Sequence, residues 1–164
     1  MSLLLVRVDD RLLHGQVTQG WGTVLNPDRF VVANDMVAGN EWEREMYESS
    51  APEKVAVSIV TIAETADRIR EWTEAGEDIL LLLENPSDAL ELYQSGLTFD
   101  ELNMGGLHHR DGRTRILPYV CLDRKDIAAL SALRDHGVTV ECADVPNSER
   151  KDLFACLGSR ENEI

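Results

Sequence analysis

Short apolar runs alternate with amphipathic stretches along almost the whole chain. Two runs, Leu3-Leu4-Leu5-Val6 and Leu80-Leu81-Leu82-Leu83, are apolar at consecutive positions, as expected of parallel strands covered on both faces. The pattern predicts strands at Leu3–Val8, Arg29–Ala33, Val55–Ile59, Asp78–Leu83, Glu101–Asn103 and Val138–Glu141, with a further pair near Arg113–Val120. Helices are predicted at Gly15–Leu25, Gly39–Ser50, Ile62–Ala75, Pro86–Gln94, Arg124–His136 and Ser148–Leu157. Several boundaries have a physical cause. Thr61 followed by Glu64 reads as a capping box, and Gly76 is a suitable stop. Asn85 can cap a helix whose first residue is Pro86, while Asp123 and Gly137 bracket the next.

The alternation of strand and helix predicts an α/β fold: a single domain with an open, mainly parallel β-sheet, helices on both faces and right-handed crossovers. Asp111-Gly112 is a hairpin-turn signal, so a small antiparallel element is expected at one sheet edge. The domain is expected to span residues 1–158, leaving 159–164 as a free tail.

Composition narrows the class of partner. The chain has 164 residues and a formal charge of −14, which argues against nucleic acid or an anionic membrane surface as a main partner. Cys121, Cys142 and Cys156 are odd in number and lack C-x-x-C spacing, as in a reduced, cytoplasmic protein. No stretch approaches the roughly 20 apolar residues of a membrane span, so work at a membrane would need an integral partner. No cofactor and no metal site are expected: adjacent side chains at His108-His109 point apart, and a solvated loop is the reading taken. The basic run Arg110, Arg113 and Arg115 can dock an acidic face, help bind phosphate, or simply be a solvated hairpin.

The run Arg7-Val8-Asp9-Asp10-Arg11-Leu12-Leu13-His14-Gly15-Gln16-Val17 holds the candidate chemistry. It places His14 at the carboxyl end of an apolar strand and beside a helix start, where α/β sheets bind anions. A neutral imidazole is a nucleophile toward phosphorus. Arg11 can supply a fork of donors, Gly15 and Gln16 can offer backbone N–H groups, and Asp10 can orient His14 or Arg11. Arg7 either reaches the site or pairs with an acid across the sheet. Asn34, Asp35 and Asn85 follow predicted strands and can line the same crevice, although capping competes for Asn85. Gly105 and Gly106 can either allow close approach of a partner backbone or serve only a tight turn. By residue type alone, His14 as a surface loop residue with Asp9-Asp10 as a turn stands equally well. Trp21 and Trp42 are read as core residues.

This run resembles the phosphorylation site of the enzyme IIB component of the mannose/fructose/sorbose family of the sugar phosphotransferase system. Further likeness lies at Val31-Val32-Ala33-Asn34-Asp35, Ala51-Pro52, Leu82 to Asp88 and Asn103-Met104-Gly105-Gly106. The resemblance implies that His14 accepts a phosphoryl group from a phosphohistidine on a IIA partner. It implies transfer onward to a sugar crossing the integral-membrane IIC/IID components, with the protein cytoplasmic and peripherally associated with them. Leu107-His108-His109 departs from the family, which often has Met and an aromatic residue there. A homodimer is compatible with the chain, and IIA is expected on a separate chain.

Other classes remain. A nucleotide-binding α/β domain would need a phosphate fingerprint, yet Gly20-Trp21-Gly22 lacks the third small residue and no Gly-Lys-Ser/Thr occurs. A regulatory phosphocarrier would share the same histidine chemistry. A non-enzymatic module would use Arg11 and the helix start only to hold an anion.

Overall fold

The apolar runs pair into one sheet. The computed structural model describes residues 2–164, and its strands are β1 (Leu3–Val8), β2 (Arg29–Ala33), β3 (Ala56–Val60), β4 (Ile79–Leu83), β5 (Glu101–Met104), β6 (Thr114–Leu117), β7 (Val120–Leu122), β8 (Thr139–Cys142) and β9 (Lys151–Asp152). Seven of them form a sheet in the order β3-β2-β4-β1-β5-β8-β9, parallel throughout except for the β8–β9 pair. β1 therefore lies in the interior, with Arg7 facing Leu82 on β4 and Asn103 on β5.

Helices cover both faces. A π-helical stretch, Gln16–Trp21, continues as α1 (Gly22–Leu25); then come α2 (Asp35–Ala38), α3 (Glu41–Ser50), α4 (Ile62–Glu74), α5 (Pro86–Gln94), α6 (Arg124–Asp135) and α7 (Leu153–Leu157). Strand alternation divides the core into two layers. Val6, Val8, Val31, Leu81, Leu102 and Met104 pack with residues of α4–α7. Phe30, Val32, Leu80 and Leu82 face the other way, against Leu12, Leu13, Val17 and Trp21. Capping boxes form at Thr61/Glu64 and Asp123/Asp126, and the Asn85 side chain accepts from Asp88 N at 2.9 Å.

Four expectations need correction. Asp111-Gly112 turns, with Gly112 at φ +87°, but the antiparallel pair β6–β7 closes further on, around Pro118-Tyr119, and forms its own two-stranded sheet. The antiparallel edge of the main sheet is β9, taken from the first half of the predicted Ser148–Leu157 helix; Asp152 then caps the shorter α7. The predicted Gly39–Ser50 helix starts at Glu41, where Asn40 caps it, and a separate short helix not predicted, α2, capped by Asn34, precedes it. Residues 159–164, expected to be free, lie against the domain: Gly158–Glu163 forms a 3₁₀ turn, Arg160 donates to the Arg115 carbonyl at 3.2 Å, and Ile164 packs on the core. No helix among the described residues is long and apolar enough to cross a membrane.

Candidate active site

Alternation along β1 continues past its last strand residue, so Arg7 and Asp9 project from the same face. Both are fully buried. The Arg7 guanidinium donates to the Asn103 side-chain oxygen, to the carbonyls of Ala143 and Asp144 at 2.8 and 2.9 Å, and to Asp9 Oδ2 at 3.1 Å. It also lies over the Trp21 ring, 5.2 Å from the centroid. The cation is thus enclosed by acceptors below the loop, and only its Nε lacks one. Arg7 therefore pairs with an acid instead of reaching the surface.

Asp9 is the hub. Its carboxylate accepts from Arg7, from Arg11 N and Nε at 3.1 and 3.3 Å, from Gly106 N at 3.2 Å and from His14 Nε2 at 3.2 Å. Burial alone would raise its pKa. Hydrogen bonds from His14 and Arg11 and the charge of Arg7 outweigh it and hold the group well below the usual carboxylate range. An ionised Asp9 can only accept, so it takes its hydrogen bond from an N–H at His14 Nε2, the arrangement that in a neutral imidazole leaves the lone pair on Nδ1. The ring is 17% exposed. It is held, yet reachable.

Backbone geometry fixes this arrangement. Asp9 N donates to the Leu83 carbonyl and Asp10 N to the Gly106 carbonyl, anchoring the loop between β4 and β5. Buried Leu12 adopts φ +57°, a left-handed conformation costly for a branched side chain, and its position in this loop marks stored strain. The His14 carbonyl accepts from Val17 and Thr18 N, which leaves the N–H groups of Gly15 and Gln16 ahead of the first helical bond. A side chain at Gly15 would meet nothing within 4 Å, so the space above that residue is open. Arg11, 40% exposed, reaches Gln16 Oε1 at 3.1 Å and keeps donors for an anion beside His14.

The structure thus gathers Arg7, Arg11, Gly15, Gln16, Gly105 and Gly106 with His14, and separates the other candidates. Asp10 does not orient His14 or Arg11; its carboxylate accepts from His108 N and Nδ1, both at 2.7 Å. That clamp also corrects the reading of His108 as merely solvated. Asn34 caps α2 and donates to Glu84 at 2.7 Å, Asp35 accepts from Ile62 N, and Asn85 caps α5; these brace neighbouring strand ends. Arg113 leaves the basic run, buried against Asp126 at 3.2 Å. Trp42 is exposed, not core. Beside His14, a cavity of about 450 Å³ is lined by Arg11, Gln16, His108, His109, Arg115 and Tyr119 among others. Gly105 packs so closely on the Arg7 guanidinium that any side chain there would collide with it.

Sequence reasoning missed Asp9, Asn103 and Leu12. For Asp9 a signal existed: it is two residues from Arg7 on a strand, hence on the same face.

A doubly covered parallel sheet that carries a carboxylate-held imidazole with an arginine at the first strand-to-helix loop belongs to the α/β proteins equipped for covalent transfer of an anionic group. Comparison with known proteins gives the family. The family model of the sorbose-subfamily IIB component of the sugar phosphotransferase system matches residues 3–164, and the chain belongs to that family. The fructose-specific EIIB component of Bacillus subtilis is 32% identical over 96% of both chains. The mannose-specific EIIAB component of Escherichia coli K12 is 33% identical over 94% of this chain and 49% of its own length. The crystal structure of the IIBSor domain of the sorbose permease from Klebsiella pneumoniae superposes with a TM-score of 0.90, at 30% identity and 96% coverage of each chain. Members of this family are phosphotransferase components of sugar uptake and work with IIA and IIC/IID partners.

Proposed function

We propose that His14 is the phosphoryl carrier and that Nδ1 is the atom which bears the group. In the first step the P–N bond of a IIA phosphohistidine breaks as the His14 Nδ1 lone pair forms a new P–N bond. The proton stays on His14 Nε2, hydrogen-bonded to the Asp9 carboxylate, which stabilises the positive charge arising on the ring. In the second step a sugar hydroxyl oxygen attacks phosphorus, the P–N bond to His14 breaks, and the hydroxyl proton passes to solvent or to the partner. Charge on the equatorial oxygens is met by Arg11 and by the Gly15 and Gln16 N–H groups, positioned in advance of the reaction. On this reading the chain is a protein-phosphohistidine–sugar phosphotransferase that docks on IIC/IID at the membrane.

The observation that carries the proposal is the bond from His14 Nε2 to the buried Asp9 carboxylate, which Arg11 shares. Incubation with a phosphorylated IIA donor tests it by intact mass. One acid-labile, base-stable phosphoryl adduct is expected on the wild type and none on His14→Ala of unchanged circular dichroism. Label persisting in that variant would remove His14 from the role.

A further inference from the structure

The surface around His14 is divided by charge. The loop after β5 and the β6–β7 hairpin bring His108, His109 and Arg115 to one side, next to Arg11. The opposite side, beyond β4, carries α2 and α3. Residues 35–50 there contain five acids (Asp35, Glu41, Glu43, Glu45 and Glu48) against the single cation Arg44.

This acidic side is also apolar. Among the described residues, four large hydrophobic side chains are exposed, and three of them lie here: Met36 at 80%, Trp42 at 70% and Met46 at 44%. Trp42 and Met46 are one helical turn apart and share a face of α3. α3 has no buried residue at all. Its attachment runs through half-buried Tyr47, which packs on the second core layer and whose hydroxyl donates to the Arg11 carbonyl at 3.4 Å. Through Tyr47, α3 is thus anchored to the loop that holds His14. A tryptophan with two methionines is the composition of an interaction hot spot: a large aromatic anchor with adaptable thioethers around it.

A carrier must show its histidine to two partners in turn. The cytoplasmic loops of an integral membrane protein carry an excess of lysine and arginine. Acids interspersed with apolar anchors complement such loops, whereas anionic lipid would be repelled by them. We infer that Met36, Trp42 and Met46, with the acids of α2 and α3, form the docking surface for the basic, partly apolar cytoplasmic face of the integral-membrane transport component. The inference rests on the phosphoryl-carrier reading, and it assigns one of that site's two partners to one side of the surface.

The test separates the two half-reactions. Trp42→Ala, the double variant Met36→Ser/Met46→Ser and Glu45→Lys alter exposed positions, and circular dichroism checks that each folds. Binding of the unphosphorylated protein is measured by co-sedimentation with membrane vesicles that contain the IIC/IID components and with matched vesicles that lack them. Phosphorylation by the IIA donor is followed separately by intact mass. Trp42→Ala is expected to weaken binding to transporter-containing vesicles about tenfold, a hot-spot loss, with donor phosphorylation within about twofold of wild type. Glu45→Lys should weaken it in the same direction, and added salt should narrow the difference. Unchanged vesicle binding would overturn the inference. So would donor phosphorylation falling as far as vesicle binding, or equal binding to vesicles that lack the transporter. Because vesicle binding needs no chemistry, failure of His14 to be phosphorylated would refute the carrier reading without deciding this one.

Discussion

Replacing Asp9 with asparagine keeps the shape of the hub and removes its charge. Arg7 then lies fully buried without the carboxylate that faces it, held only by the Asn103 oxygen, two backbone carbonyls and the new amide. Removing one member of a buried ion pair costs about 3–5 kcal/mol. The neutral acceptors that remain place Asp9→Asn near the lower bound, about 3 kcal/mol. For a domain of this size that lowers the melting temperature by roughly 6–12 °C, and a typical total stability of about 5–15 kcal/mol still leaves the protein folded. A second effect falls on chemistry. The amide no longer enforces the Nε2–H tautomer of His14 and no longer anchors Arg11 by charge-assisted bonds worth about 1.5–3 kcal/mol, so phosphoryl transfer should slow by roughly ten- to a hundredfold. Urea and thermal unfolding measure the first effect, and rapid-quench phosphorylation by the IIA donor the second. A stability loss below about 1 kcal/mol, or a transfer rate equal to wild type, would refute the assignment of Asp9 as the hub.

Other perturbations separate the parts of the site. Asp10→Asn loses only the clamp on His108, so transfer should stay within about threefold of wild type; a drop as large as that of Asp9→Asn would reverse the roles given to the two acids. Gly105→Ala forces a methyl group into the Arg7 guanidinium, which four acceptors hold in place, and should destabilise by about 1–3 kcal/mol in urea unfolding. Burial, reinforced by Glu84, Glu91 and Asp35, pushes Asp88 up to about 6. The folded state then binds the Asp88 proton more tightly than the unfolded chain does, so this group's contribution is fully present below pH ~4 and is lost as pH rises toward about 6. Asp88→Asn should therefore be more stable than wild type above pH ~6, by about 1 kcal/mol because the group is only partly buried and is screened; equal stability at pH 7 in paired melts would contradict the shift.

Much of the frame follows from local rules. Leu3–Val8, Arg29–Ala33 and Pro86–Gln94 form as the pattern predicts, because buried parallel strands need continuous apolar runs and an Asn-Pro pair starts a helix unambiguously. Ser148–Leu157 does not: two residues, Lys151 and Asp152, pair with β8, and two residues are too few to leave a period in the sequence. Within the site, His14, Arg11 and Gln16 were legible because they are close in sequence. The clamp of Asp10 on His108 joins residues 98 apart and has no local signal. Choosing between Asp9 and Asp10 needed only the two-residue period of β1 carried one step beyond Val8. Trp42 and Met46 have the helical spacing of a buried face; that face stays exposed because Tyr47 makes the contact with the core.

The central claim is that Asp9 holds His14 at Nε2 so that Nδ1 takes the phosphoryl group. Two-dimensional nitrogen–proton NMR of the histidine rings, recorded on protein phosphorylated by the IIA donor, tests it most directly. The account predicts a single modified ring, His14, substituted at Nδ1 and still protonated at Nε2. Substitution at Nε2, or on His108, His109 or His136, would contradict it.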